Sequence, residues 1–130
     1  MKALKQVDSI EFELVVMNRE IHFKEVLELG IPIHYLVRKT KKDVSIGYKL
    51  FKICKTIKPD LIHCWDNMTA VYGVIVASLL NIQFVNGMVT NTLQSKSLSN
   101  KYWVRAMLTF PFSDYIIGNS YAGIKSYNAP

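Results

Sequence analysis

The stretch Phe110 to Pro130, FPFSDYIIGNSYAGIKSYNAP, decides how the rest of the chain is read. Within it, Asp114-Tyr-Ile-Ile-Gly118 is a short apolar run with β-branched residues, the pattern of a buried strand. Asn119 and Ser120 follow at once, and Ser120 is a good N-cap for a helix through Ala122, Ile124 and Lys125. A buried strand that breaks straight into a capped helix is the geometry of a ligand-binding edge in an α/β protein.

Working back toward the N-terminus, strand and helix patterns alternate. Phe12 to Met17 reads as a buried strand, Ile21 to Leu29 as a short helix with Gly30 as its C-cap, and Pro32 to Val37 as a second strand. Val44 to Ile57 carries Ile46, Leu50, Ile53 and Ile57 on one helical stripe, and Lys58-Pro59 ends it. Leu61 to Trp65 is the next strand, and Met68 to Leu80 is a helix apolar enough to be largely buried. Ile82 to Val85 is a strand ended by Asn86-Gly87. Asn91 to Asn100 is a polar loop, and Lys101 to Phe110 is a helix stopped by Pro111. This alternation predicts an α/β domain over residues 1–130, a Rossmann-like parallel sheet with helices on both faces. Met1 to Ile10 reads as the tail of a helix. The central strand and glycine-rich turn that usually open such a fold are missing, which would leave an unpaired edge on each side of a gap.

Composition narrows the function classes. At 130 residues, half of them apolar, the chain can bury a core. The run Ala70 to Leu80 is too short to span a bilayer, which takes about 20 residues. Lys2 and Lys5 are followed by no apolar core and cleavage site, which argues against a signal peptide. Cys54 and Cys64 form no CxxC pair; two lone thiols suit packing in a reducing cytoplasm. The net charge of +6 is concentrated in one segment. Arg38, Lys39, Lys41, Lys42, Lys49, Lys52, Lys55 and Lys58 stand against Asp43 alone. Such a face suits either solvent or the anionic inner surface of a membrane. Nucleic acid is the poorer expectation for this face. His22 and His34 have no second ligand at metal spacing, so no metal is assigned.

Three loops follow parallel strands and must gather at the carboxyl edge of the sheet. They are His63-Cys64-Trp65-Asp66-Asn67, Asn86 to Thr92, and Gly118-Asn119-Ser120. The candidate site residues are His63, Trp65, Asp66, Asn67, Asn86, Gly87, Thr90, Asn119 and Ser120. Each has a plainer role beside it. His63 either bonds a ligand hydroxyl or is satisfied by backbone. Asp66 or Asn67 serves as the N-cap of the following helix more readily than as a ligand contact. Asn86-Gly87 either admits a ligand close to the backbone or makes a tight turn. Asn119 and Ser120 suit a helix cap better than a ligand contact.

These segments carry a resemblance. Lys58-Pro-Asp-Leu-Ile-His63 looks like the "K-P-D-(I/V)-(I/V)-H" strand of GT-B glycosyltransferases of the large group 1, family 4 class, which are retaining enzymes. Thr69-Ala-Val-Tyr-Gly73 is similar to the helix that follows it there, and Ile82-Gln-Phe-Val-Asn-Gly87 to the "I-P-x-(I/V)-N-G" strand. The terminal segment resembles "SD-x-I-I-x-N-S-x-A-G", which closes the amino-terminal domain of that architecture. The likeness covers roughly Leu27 to Pro130. It implies an acceptor-side domain lacking its usual first strand, with the donor-binding domain or subunit elsewhere. It also implies transfer of a sugar from a nucleotide-sugar substrate to a saccharide or lipid-linked acceptor in surface polysaccharide assembly, with no separate cofactor. The chain alone would then be inactive, in the cytoplasm or at the inner membrane face. Many relatives place a sugar-binding histidine near Met88; this chain has Met88-Val89-Thr90, so catalytic residues stay unassigned. The rival expectation is a non-catalytic α/β binding module, or one subunit of a split transferase.

Overall fold

In a computed structural model the described residues are 9–18, 24–40, 43–89 and 98–128. The expected helix tail at Met1 to Ile10, along with Thr90, Lys41 and Lys42, falls wholly or mostly outside them. The architecture is mixed α/β, with short parallel sheets and helices to either side, compatible with a Rossmann-like arrangement. The chain divides into two compact units, residues 1–46 and 47–130.

In the first unit, β1 (Leu14–Val16) pairs in parallel with β2 (Ile33–Tyr35), Val15 facing His34. The described part of the crossover is a 3₁₀ turn at Lys24–Leu29, where the latter part of the expected helix lies; Ile21, its expected start, is outside the described residues. The turn ends at Gly30, whose φ of 62° is the left-handed conformation that glycine adopts without steric cost.

Helix α1 (Ser45–Ile57) leads into the second unit. Its buried positions are Ile46, Leu50 and Cys54, a strict four-residue spacing. The expected stripe was therefore displaced at its end: Cys54 completes it, and Ile57 is partly exposed. Lys58 follows with φ 54°, a left-handed stop just before Pro59.

The second unit is built on β3 (Leu61–Cys64), β4 (Gln83–Val89) and β5 (Tyr115–Gly118), all parallel, in the order β3-β4-β5. The strands thus form two sheets rather than one, which accords with the break expected where the usual opening strand is missing. Among the described residues β3 has β4 as its single strand partner, and β1 has β2. Parallel strands alternate their side chains. Ile62, Cys64, Phe84 and Asn86 consequently share one face of the sheet, and Leu61, His63 and Val85 the other.

Helix α2 (Asn67–Leu80) packs on the Cys64 face, with Ala70, Val74 and Ala77 joining Cys64 and Phe84 in one core cluster. Gly73 permits that closeness, since a Cβ there would lie 2.6 Å from the Cys64 sulfur. This helix is less buried than its composition suggests, because Ile75 and Leu79 are 54% and 69% exposed. It ends at Asn81, again left-handed with φ 55°. Helix α3 (Lys101–Thr109) lies on the same face of the sheet and is tied to it through Thr109. The 3₁₀ turn Phe110–Phe112 then delivers the chain to β5, and α4 (Tyr121–Asn128) follows. Asp114 secures the start of β5 by accepting a hydrogen bond from the Phe84 N–H at 2.6 Å.

Candidate functional site at the carboxyl edge of the sheet

The register Cys64–Asn86–Ile116 and the pairing of Val89 with Gly118 bring the carboxyl ends of β3, β4 and β5 to one edge. His63, Trp65, Asp66, Asn67, Gly87, Asn119 and Ser120 all sit at or beside it. The sequence reading ended β4 too early, however. The strand continues through Asn86 and Gly87 to Val89, with an irregular register between Asn86 and Val89. A bulge of this kind lets a strand carry on pairing past a residue with no partner.

His63 and Trp65 form a pair. The Trp65 indole N–H donates to His63 Nδ1 at 3.3 Å, and the two rings are tilted at 49° with centroids 5.7 Å apart. Partial burial lowers the His63 pKa below the ordinary imidazole value, because the charged ring would lose hydration. Gly87 stands against the same ring: a Cβ there would lie 3.1 Å from His63 Nε2 and 3.0 Å from the Cys64 carbonyl oxygen. Trp65 itself is 64% exposed at the edge.

Asp66 takes the capping role. Its Oδ1 accepts from the N–H groups of Met68 at 2.7 Å and Thr69 at 3.0 Å, and its Oδ2 from the Thr69 hydroxyl at 3.0 Å. Both carboxylate oxygens are therefore engaged, and a negative charge at a helix N-terminus is favourable in itself. Asn67, the first residue of α2, accepts a hydrogen bond from the Arg105 guanidinium. Ser120 caps α4, its hydroxyl accepting from the Gly123 N–H at 3.1 Å. Asn119 lies in the bend between β5 and α4.

Asn86 points the other way. It is fully buried on the face covered by α3, donating to the Thr109 hydroxyl at 3.0 Å. Its side chain joins sheet to helix beneath the edge, while its neighbour Gly87 meets His63.

Arg105 was missed by sequence reasoning. It lies on α3, half-buried, and reaches from that helix to the start of α2. Among the described residues no carboxylate pairs with it. Nothing in the spacing of Lys101 to Phe110 marks this arginine, since an arginine on a helix is ordinarily solvated.

A groove of about 390 Å³ lies at the opposite, amino end of the strands, between Lys58, Asp60, Asn81 and Gln83. Two helices end there in left-handed residues, Lys58 and Asn81. The groove is the space between two chain reversals. Among the described residues no group of three metal-ligating side chains occurs, and no helix is long and apolar enough to cross a membrane. No protein-family model and no curated protein matches the chain.

Proposed function

We infer that this chain is the acceptor-side domain of a GT-B-type glycosyltransferase, whose nucleotide-sugar donor is held by a second domain or subunit. The complete enzyme would transfer a sugar to a saccharide or lipid-linked hydroxyl in surface polysaccharide assembly. The observation that carries the reading is the shared edge. Parallel β3, β4 and β5 end together, and an exposed indole, an imidazole of lowered pKa and a glycine converge there. Sugar transfer in such a cleft is chiefly positioning and charge stabilisation, which hydrogen-bond donors at a strand edge can supply. Saturation-transfer NMR tests this reading. Saccharide acceptors should receive saturation from the chain, and uridine diphosphate glucose at equal concentration should not. The reverse pattern would overturn the assignment of the acceptor side.

One observation favours the rival reading, a binding module without chemistry of its own. Asp66 is the carboxylate within the first loop, and both its oxygens are already spent on capping. Joining the chain to a donor-binding domain separates the two: transfer of labelled sugar supports the enzyme, and acceptor binding without transfer supports the module.

A contact with anionic membrane is consistent with α1. Lys49, Lys52 and Lys55 are exposed, and Lys52 lies over the exposed Tyr48 ring, 4.8 Å from its centroid.

A further inference from the structure

One nitrogen of His63 is already committed, and that settles what the other can do. An indole N–H donates and cannot accept. Because it lies 3.3 Å from His63 Nδ1, that nitrogen must present its lone pair. In the neutral ring the proton then resides on Nε2. A protonated ring would carry hydrogen on both nitrogens and set two donors against each other at Nδ1.

Nε2 faces the position of Gly87, and among the described residues no acceptor takes its proton. The glycine there is not required by the backbone, since among the described residues Gly30 is the glycine with positive φ. What the missing side chain does is leave Nε2 uncovered, because a Cβ would stand 3.1 Å from it.

We propose that His63 is a hydrogen-bond donor to a ligand oxygen at the carboxyl edge of the sheet, fixed as the Nε2–H tautomer by Trp65. It is not a general base, because Nε2 holds no free lone pair and Nδ1 is occupied by the indole. Trp65 is a positioning residue acting through the imidazole. The ligand atom is an oxygen acceptor, whether a sugar hydroxyl or a phosphate oxygen. This inference rests on the ligand edge of the proposed function and not on its reaction.

Long-range ¹H–¹⁵N correlation spectra of the whole chain, labelled at histidine, test it near neutral pH. His63, assigned by its loss in His63→Gln, should show a lone-pair Nδ1 and a protonated Nε2. Trp65→Phe keeps an aromatic ring but removes the donor, and should yield a mixture of tautomers. A protonated Nδ1 in the unaltered chain, or an unchanged pattern in Trp65→Phe, would overturn the lock. Methyl glucoside and inorganic phosphate are then titrated separately. A shift of Nε2 with one of them supports the donor role and identifies the oxygen, whereas no shift with either overturns it. Gly87→Ala should abolish that shift while the tautomer persists; a shift retained in full would refute the uncovered position. A locked tautomer stands even where the saturation-transfer experiment sinks the transferase reading, so the two failures are distinguishable.

Discussion

Asn86 on β4 and Thr109 on α3 are each fully buried, and the asparagine amide donates to the threonine hydroxyl at 3.0 Å. The same amide lies 3.4 Å from the Ser113 hydroxyl, so one side chain joins the middle strand to the helix and to the turn that precedes β5. Asn86→Ala should cost roughly 1–3 kcal/mol, because the threonine and serine hydroxyls would lose a buried partner. Urea denaturation of Asn86→Ala, Thr109→Val and the double variant should show that the double loss is smaller than the two single losses added. Strict additivity would mean the two residues act independently.

Gly73→Ala should destabilise the fold although it replaces glycine within a helix. Helix propensity favours alanine by about 1 kcal/mol. Against this, the new Cβ would stand 2.6 Å from the Cys64 sulfur and 2.8 Å from the Phe84 ring. Relieving overpacking of that kind typically costs about 1–3 kcal/mol, so the net effect should be a lower thermal midpoint. Combining it with Cys64→Ala should recover part of the loss, and a midpoint that rises in Gly73→Ala alone would contradict the packing.

Burial pushes the Cys64 thiol pKa up to about 12, beyond what the Thr69 hydrogen bond offsets. The native chain should therefore leave Cys64 unalkylated by iodoacetamide at pH 8, while urea-unfolded chain reacts fully; mass spectrometry reads the difference. The sign of the linked stability follows. An unfolded thiol ionises near 9.0 and the folded one does not, so this group's contribution is intact below pH 9.0 and is lost as pH rises toward about 12.

Removing the cap at Asp66 should weaken α2 from its first turn. Asp66→Ala should cost about 1 kcal/mol, and Asp66→Asn distinctly less, because the amide oxygen still accepts from the backbone. Equal losses in the two variants would point to the charge rather than the capping bond.

Changing Lys49, Lys52 and Lys55 to Gln should abolish sedimentation with vesicles containing phosphatidylglycerol, and salt should release the unaltered chain. Each lysine near an anionic surface is worth about 1 kcal/mol, so losing three should weaken binding on the order of a hundredfold. Equal binding to neutral vesicles would leave this helix face simply solvated.

Much of this chain is legible without coordinates, because strand and helix periods, caps and stops are local. Asp114 to Gly118, Leu61 to Trp65 and the helix ending at Lys58 were placed to within a residue or two, as hydrophobic spacing and Pro59 demand, but Tyr115, Ile116 and Ile117 are exposed where a buried strand was expected. Ser120 and Asp66 were nameable as caps because capping spans only two or three residues. Asn86-Gly87 misled for a related reason. In isolation the dipeptide reads as a turn, but pairing with β5 carries β4 on through it.

Sequence alone determined the alternation of elements and the common edge at which β3, β4 and β5 end, since both follow from local periodicity and strand direction. Tertiary structure decided what each polar side chain does there. It buried Asn86 beneath α3, spent both oxygens of Asp66 on a helix end, brought Arg105 across to Asn67 and aimed the Trp65 indole at His63. It also fixed the strand order β3-β4-β5, because hydrogen-bond pairing depends on which strands lie side by side and no local pattern records that. Periodicity tells which face of an element is apolar; only packing tells which neighbour a polar atom meets.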